Sequence, residues 1–175
     1  ETSSWLLITS KTMSYTSDDE IPLASFATYI ESKNVNEIRS LFKANRKFKG
    51  FTVMMIAAMH TQGTWVLTQF GQEDKSKVDE KSDQELKDLA ATLHLDVDDE
   101  ILNDKGFTPL MLAVMFGPPA SVKALIDAGA AKHVHTDRGF SAKMFATCRD
   151  DPEIRQYFAR KREICDPYWE ACSMM

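Results

Sequence analysis

The sequence predicts an all-α fold, a solenoid of about four helix–turn–helix units that carries a charged insertion with one extra helix. Three copies of a Gly-Phe-Thr/Ser motif support this prediction, because each opens an apolar run. They begin at Gly50, Gly106 and Gly139, and the last two glycines are 33 residues apart. Self-similarity at such a period is typical of stacked units, none of which can bury its own apolar face alone.

The unit from Gly106 to Ala130 shows why each repeat should form helices. Thr108 can cap a first helix with its hydroxyl, and Pro109 suits the first helical position, where its missing N–H costs nothing. Gly117 and the two prolines after it end this helix, because proline cannot continue the hydrogen-bond ladder. A second helix follows, with an apolar stripe made by Val122, Leu125 and Ile126.

The motif Thr108-Pro109-Leu110, followed by Ala113, Gly117 and Gly129-Ala130, closely resembles the ankyrin repeat. The resemblance covers about residues 22–162 and is strongest in the unit just described. It implies a binding scaffold and not a catalyst. Such a protein-interaction module would bind, block or recruit a protein partner, a helix or an extended peptide, through its concave face and turn tips.

One position departs from the ankyrin pattern. The family usually has histidine after Thr-Pro-Leu, where its hydrogen bonds tie neighbouring turns together. Here Met111 occupies the position, and Met55 and Met144 occupy it in the other two copies. We expect packing to hold these turns instead.

The extent of the repeats divides the chain into three parts. These are an N-terminal arm (1–21), the repeat domain (22–162) and a C-terminal tail (163–175). The first unit, from Pro22 to about residue 42, has the atypical, more polar sequence that shields the end of a stack. The fourth unit ends in a polar helix over 152–158 that suits the opposite end. We expect Tyr168 and Trp169 of the tail to fold back onto that helix.

The spacing of the motifs reveals an insertion. Gly50 and Gly106 are 56 residues apart, 23 more than one period, and the excess falls in residues 72–98. Residues 73–82 alternate in charge and are almost free of apolar side chains, which predicts a solvated, mobile loop. We expect Asp83 to cap a helix whose apolar side is formed by Leu86, Leu89, Ala90 and Leu93. An inserted helix and a degenerate repeat both account for this segment.

Composition and charge exclude several classes of function. The net charge of the 175 residues is −5, and no long basic run opposes it, so we expect no nucleic-acid partner. No apolar run approaches the length of a membrane span. The spacing of Cys148, Cys165 and Cys172 fits neither a disulfide framework nor a zinc site, which favours reduced thiols in a cytoplasmic protein. One C-terminal disulfide in an exported protein is the alternative. Separately, we expect the chain to be a monomer. An exported or periplasmic location is the alternative, since the chain begins at Glu1.

The sequence contains no nucleophile elbow, phosphate-binding loop or dinucleotide fingerprint, so we expect neither catalysis nor a cofactor. His133 and His135, with Asp137, are the nearest approach to a metal site. We interpret them as a solvated turn, because a third ligand at tight spacing is missing. The alternatives are a metal-binding turn at His133/His135 and a regulatory ankyrin region of a larger enzyme or exported effector.

Aligning the units with one another predicts a partner-binding strip. By the ankyrin resemblance, the two positions before the turn between helices face solvent, and here they hold Met59-His60, Met115-Phe116 and Cys148-Arg149. Large apolar side chains at such positions suit the docking of a helix or an extended peptide. Alternatively, the insertion or the arm with Trp5 covers the strip as core. The turn tips are further candidates: Lys47, Lys49, Asp104, Lys105, His135, Asp137 and Arg138.

Overall fold

The computed structural model of the protein describes residues 23–149 and 151–159. Our expectations for the N-terminal arm, the C-terminal tail, Cys165 and Cys172 lie outside these residues. Within them, the chain forms ten α-helices and one antiparallel hairpin, β1 (Lys47–Phe48) with β2 (Phe51–Thr52). The helices are α1 (Leu23–Glu31), α2 (Val35–Lys43), α3 (Val53–Met59), α4 (Thr64–Glu73), α5 (Leu86–Leu93), α6 (Asp99–Leu102), α7 (Pro109–Phe116), α8 (Pro119–Asp127), α9 (Ala142–Cys148) and α10 (Pro152–Phe158).

The helices associate in pairs, and the pairs contact one another in order. Helix α1 packs on α2, α3 on α4, α7 on α8 and α9 on α10. The first helices of the last three pairs touch in succession, α3 with α7 and α7 with α9, and α8 likewise contacts both α4 and α10. The predicted all-α fold of helix pairs is confirmed.

Each Gly-Phe-Thr/Ser motif forms a turn at the foot of a helix, as predicted. Gly50, Gly106 and Gly139 have φ angles of 80°, 78° and 92°, in the left-handed region that glycine adopts without steric cost. A helix begins three residues after each glycine. In each case the residue just before the helix has a side-chain hydroxyl that accepts the backbone N–H of a methionine three residues later. Thr52 accepts from Met55, Thr108 from Met111 and Ser141 from Met144. The repeat signal is therefore a glycine turn joined to a side-chain N-cap.

The charged segment that follows α4 is not the fully solvated loop that we predicted. Val78 and Ser82 are only 1% and 5% exposed. The backbone of Ser82 exchanges two hydrogen bonds with the turn before α7: its N–H donates to the carbonyl of Phe107 at 2.8 Å, and its carbonyl accepts from Gly106 at 3.2 Å. The expectation failed because one valine and one serine scarcely alter a pattern dominated by charge.

The predicted insertion (72–98) contains one α-helix, α5, and the four-residue helix α6 follows directly after it. Helix α5 begins at Leu86, and Glu85 precedes it without a side-chain cap. The prediction that Asp83 caps this helix is wrong, because the Asp83 carboxylate is paired with Lys47 instead.

Helix α5 is part of the main hydrophobic core. Leu86, Leu89 and Leu93 are at most 1% exposed and belong to the same apolar cluster as the residues of α3 and α7. All seven residues of α3 are buried, as expected of a helix that is covered on every side. The insertion therefore completes the core of the stacked units.

Candidate functional site

Two of the predicted turn-tip residues hold the insertion in place. The Nζ of Lys47 donates to Asp83 Oδ2 at 2.5 Å and lies 3.1 Å from Glu80 Oε1. The hydrogen bond to Asp83 contributes most to raising the pKa of Lys47. The Nζ of Lys49 donates to Thr92 Oγ1, in α5, at 3.0 Å. Both lysines therefore contact the insertion in this structure.

Asp104 ties together the turns that precede α7 and α9. Its side chain is buried, and Oδ1 accepts the backbone N–H groups of Lys105 at 2.8 Å and Arg138 at 3.1 Å. The expectation that Asp104 is a surface tip is wrong, and so is the expectation that packing alone holds these turns. A buried carboxylate performs the tying role that the ankyrin family usually gives to histidine. The remaining tip residues, Lys105, His135, Asp137 and Arg138, are exposed.

Met59 and His60 do not lie on an open face. Both are 1% exposed, so the expectation that they face solvent is wrong. His60 Nδ1 accepts the backbone N–H of Gln62 at 3.1 Å, and its Nε2 lies 3.9 Å from Glu31 Oε1 at the end of α1. Burial lowers the pKa of His60, and the negative charge of Glu31 opposes that effect. The first helix pair thus covers this end of α3.

Met115, Phe116, Cys148 and Arg149, by contrast, come together in one open groove of about 400 Å³, which we call the end groove. They belong to the ends of α7 and α9. The other wall comes from the segment between α5 and α6 and from Ile101 in α6. The end groove is lined by Asp96, Val97, Asp98, Ile101, Met115, Phe116, Phe145, Cys148 and Arg149.

The apolar side chains of the end groove are anchored in the core but reach its surface. Met115, Phe116, Val97 and Ile101 are partly buried and pack against the hydrophobic core. Cys148 beside them is exposed and carries a free thiol. An apolar surface that is open to solvent and held by a rigid core is typical of a binding site.

Arg149, which lines the end groove, forms hydrogen bonds with the end of α7. Its Nη1 donates to the carbonyl oxygens of Val114 at 2.9 Å and Gly117 at 2.8 Å. These carbonyls are at the C-terminal end of α7, where a positive charge interacts favourably with the helix dipole. Arg149 therefore fixes the end of α9 to the end of α7.

Sequence reasoning missed the residues that the insertion contributes to the end groove. The run Leu95-Asp96-Val97-Asp98 alternates apolar and acidic residues, and in the structure Leu95 and Val97 are half-buried while Asp96 and Asp98 are exposed. Such alternation indicates an extended segment with one buried side. It was a usable signal, and it lay inside the segment that we had treated as a loop followed by a helix.

His133 and His135 are both exposed and line a second cavity of about 450 Å³ near the end of α10. Lys132 borders it, and its Nζ donates to the carbonyl of Tyr157 at 2.6 Å. In the part of the chain that the structure describes, no three His, Cys, Asp or Glu side chains are grouped as metal ligands would be. The described residues also include no helix long and apolar enough to cross a membrane.

Comparison with known protein families identifies the unit that contributes Met115 and Phe116 to the end groove. Residues 105–137 match the family model described as the ankyrin repeat. The chain contains an ankyrin repeat. The match spans α7, α8 and the turn leading towards α9. Ankyrin repeats serve in general as protein-interaction units, and that general role applies here. A search of curated proteins finds no match to this chain.

Proposed function

We propose that this ankyrin-repeat chain binds a helix or an extended peptide of a protein partner in the end groove. The observation that carries the proposal is that Met115 and Phe116 pack against the core, partly buried, and also line an open cavity. Methionine adapts to different side chains, and phenylalanine provides a large anchor surface. No catalytic role is part of this proposal.

The size of the end groove also supports a peptide ligand. Its volume of about 400 Å³ lies near the lower end of the range for ligand sites, roughly 300–1,000 Å³. It therefore suits one or two large side chains of a partner, with the rest of the partner lying over the rim. Peptide anchors of this kind account for most of the binding energy at many interfaces.

The test is a selection from a displayed library of random 12-residue peptides against the intact chain, followed by binding measurements on two variants. Phe116→Asp places a charge in the groove, and we expect it to weaken binding by about tenfold or more, as truncation of an anchor residue does. Met144→Asp is the matched control, because Met144 is 47% exposed on α9 and does not line the groove. Thermal unfolding of both variants checks that they are folded.

A second readout uses the thiol of Cys148 in the groove wall. In a background of Cys165→Ser and Cys172→Ser, alkylation reports on Cys148 alone, and a bound peptide should slow it. Peptides whose binding is unaffected by Phe116→Asp and that leave the alkylation rate unchanged would place the interaction elsewhere and refute the proposal.

A further inference from the structure

The insertion gives the end groove an acidic rim. Asp96 and Asp98 line the groove, and Asp99 and Glu100 follow in the first turn of α6. All four side chains are exposed, and among the described residues none of them forms an ion pair. Two exposed carboxylates therefore lie in the groove lining beside its apolar side chains, and two more follow them directly in the chain.

The opposite wall offsets this charge only in part. Among the described residues that line the groove, Arg149 alone is cationic. Its Nη1 donates to two carbonyls at the end of α7. The whole chain is also acidic, with a net charge of −5. Complementary potentials favour encounter with a positively charged partner and disfavour an acidic one.

From this arrangement, and resting on the function proposed above, we infer that the partner segment is cationic around an apolar anchor. One apolar side chain of the partner lies against Phe116 and Ile101. Lysine or arginine residues on either side of it reach Asp96 and Asp98. The insertion thereby selects the partner, because it supplies the acidic wall while α7 supplies the apolar floor.

The test compares three forms of each groove-dependent peptide from the selection, in which the residues flanking the anchor are arginine, serine or glutamate. We expect the arginine form to bind the intact chain most tightly and the glutamate form least. Raising the ionic strength should narrow the differences, because exposed charges are screened over about 8 Å at 0.15 M.

Variants of the protein show which carboxylates cause the preference for the arginine peptide. Asp96→Asn with Asp98→Asn should weaken the arginine form by about three- to tenfold at low salt, the range expected for two exposed ion pairs. Glu37→Gln with Asp88→Asn is the matched control, since it removes two exposed carboxylates outside the groove and changes the net charge equally. Neither pair of substitutions should change the affinity of the serine peptide.

The outcomes separate this inference from the proposed function. If the three peptide forms bind equally but Phe116→Asp abolishes binding, the groove is a binding site and the inferred cationic partner is wrong. If both pairs of substitutions weaken binding of the arginine peptide equally, the preference for arginine comes from the overall charge and not from the rim. That result also overturns the inference. If no peptide depends on Phe116, the proposed function itself fails.

Discussion

Replacing Leu89 by alanine tests whether the insertion stabilises the whole stack. Leu89 is at the centre of α5, 0% exposed, and lies between the equally buried Leu86 and Leu93. Truncating a fully buried leucine removes favourable transfer energy and leaves a cavity, which together cost about 2–5 kcal/mol. For a chain of this size each kcal/mol lowers the midpoint of thermal unfolding by roughly 2–4 °C, so we expect a fall of about 4–20 °C.

The assay must report on a region remote from α5. Trp65 in α4 is suitable, because its Nε1 donates to the carbonyl of Ile30 at 3.2 Å, between the first two helix pairs. If α5 and these pairs unfold together, the urea midpoints from circular dichroism and from Trp65 fluorescence should fall together. Replacing Trp5 and Trp169 by phenylalanine isolates the Trp65 signal.

Lys87→Ala is the control, since Lys87 is exposed on the same helix and should change the unfolding free energy by about 0.5 kcal/mol or less. The reasoning is refuted if Leu89→Ala leaves the Trp65 midpoint unchanged. In that event α5 would unfold on its own, and the insertion would be an appendage of the stack.

Three further perturbations probe single contacts. Burial lowers the pKa of His60 below the usual 6.5, so the stability contributed by neutral His60 is present above pH 6.5 and is lost as the pH falls towards the folded pKa. Urea unfolding at pH 7.5 and 5.0 measures this loss of stability, which should be smaller in His60→Asn. Gly117→Ala should cost about 1–3 kcal/mol, since its Cβ would lie 2.2 Å from the carbonyl oxygen of Ala58. Arg149→Met should cost about 1.5–3 kcal/mol by removing charge-assisted hydrogen bonds to the end of α7, as measured by denaturant unfolding.

Each of these perturbations has its own control. The exposed His94, His133 and His135 remain in His60→Asn, and an unchanged pH dependence would show that His60 does not cause it. The φ angle of Gly117 is −82°, so a left-handed backbone adds nothing to the loss, and a Gly117→Ala variant as stable as the unmodified chain would refute the clash with Ala58. Full rescue by Arg149→Lys would show that charge alone matters and that the forked geometry does not.

Local sequence was sufficient for the elements that depend on neighbouring residues. A glycine with positive φ, a hydroxyl N-cap and a proline at the first helical position are all short-range features, so the starts of α3, α7 and α9 were predictable. The same features carried the ankyrin resemblance. Apolar spacing also identified α5, because Leu86, Leu89 and Leu93 recur on one helical side.

What only the tertiary structure decided was which of these surfaces remain open. Met59-His60 and Met115-Phe116 are equivalent in sequence, yet the first pair is buried beside α1 and the second lines the end groove. Burial depends on elements distant in the chain: the insertion meets the end of α7, and Glu31 lies next to His60. The local sequence pattern specifies that a residue is helical and on which face of the helix it lies. The side chains that cover that face come from segments distant in the sequence. The sequence by itself therefore determined the repeat, and long-range packing determined which of its equivalent positions remain open.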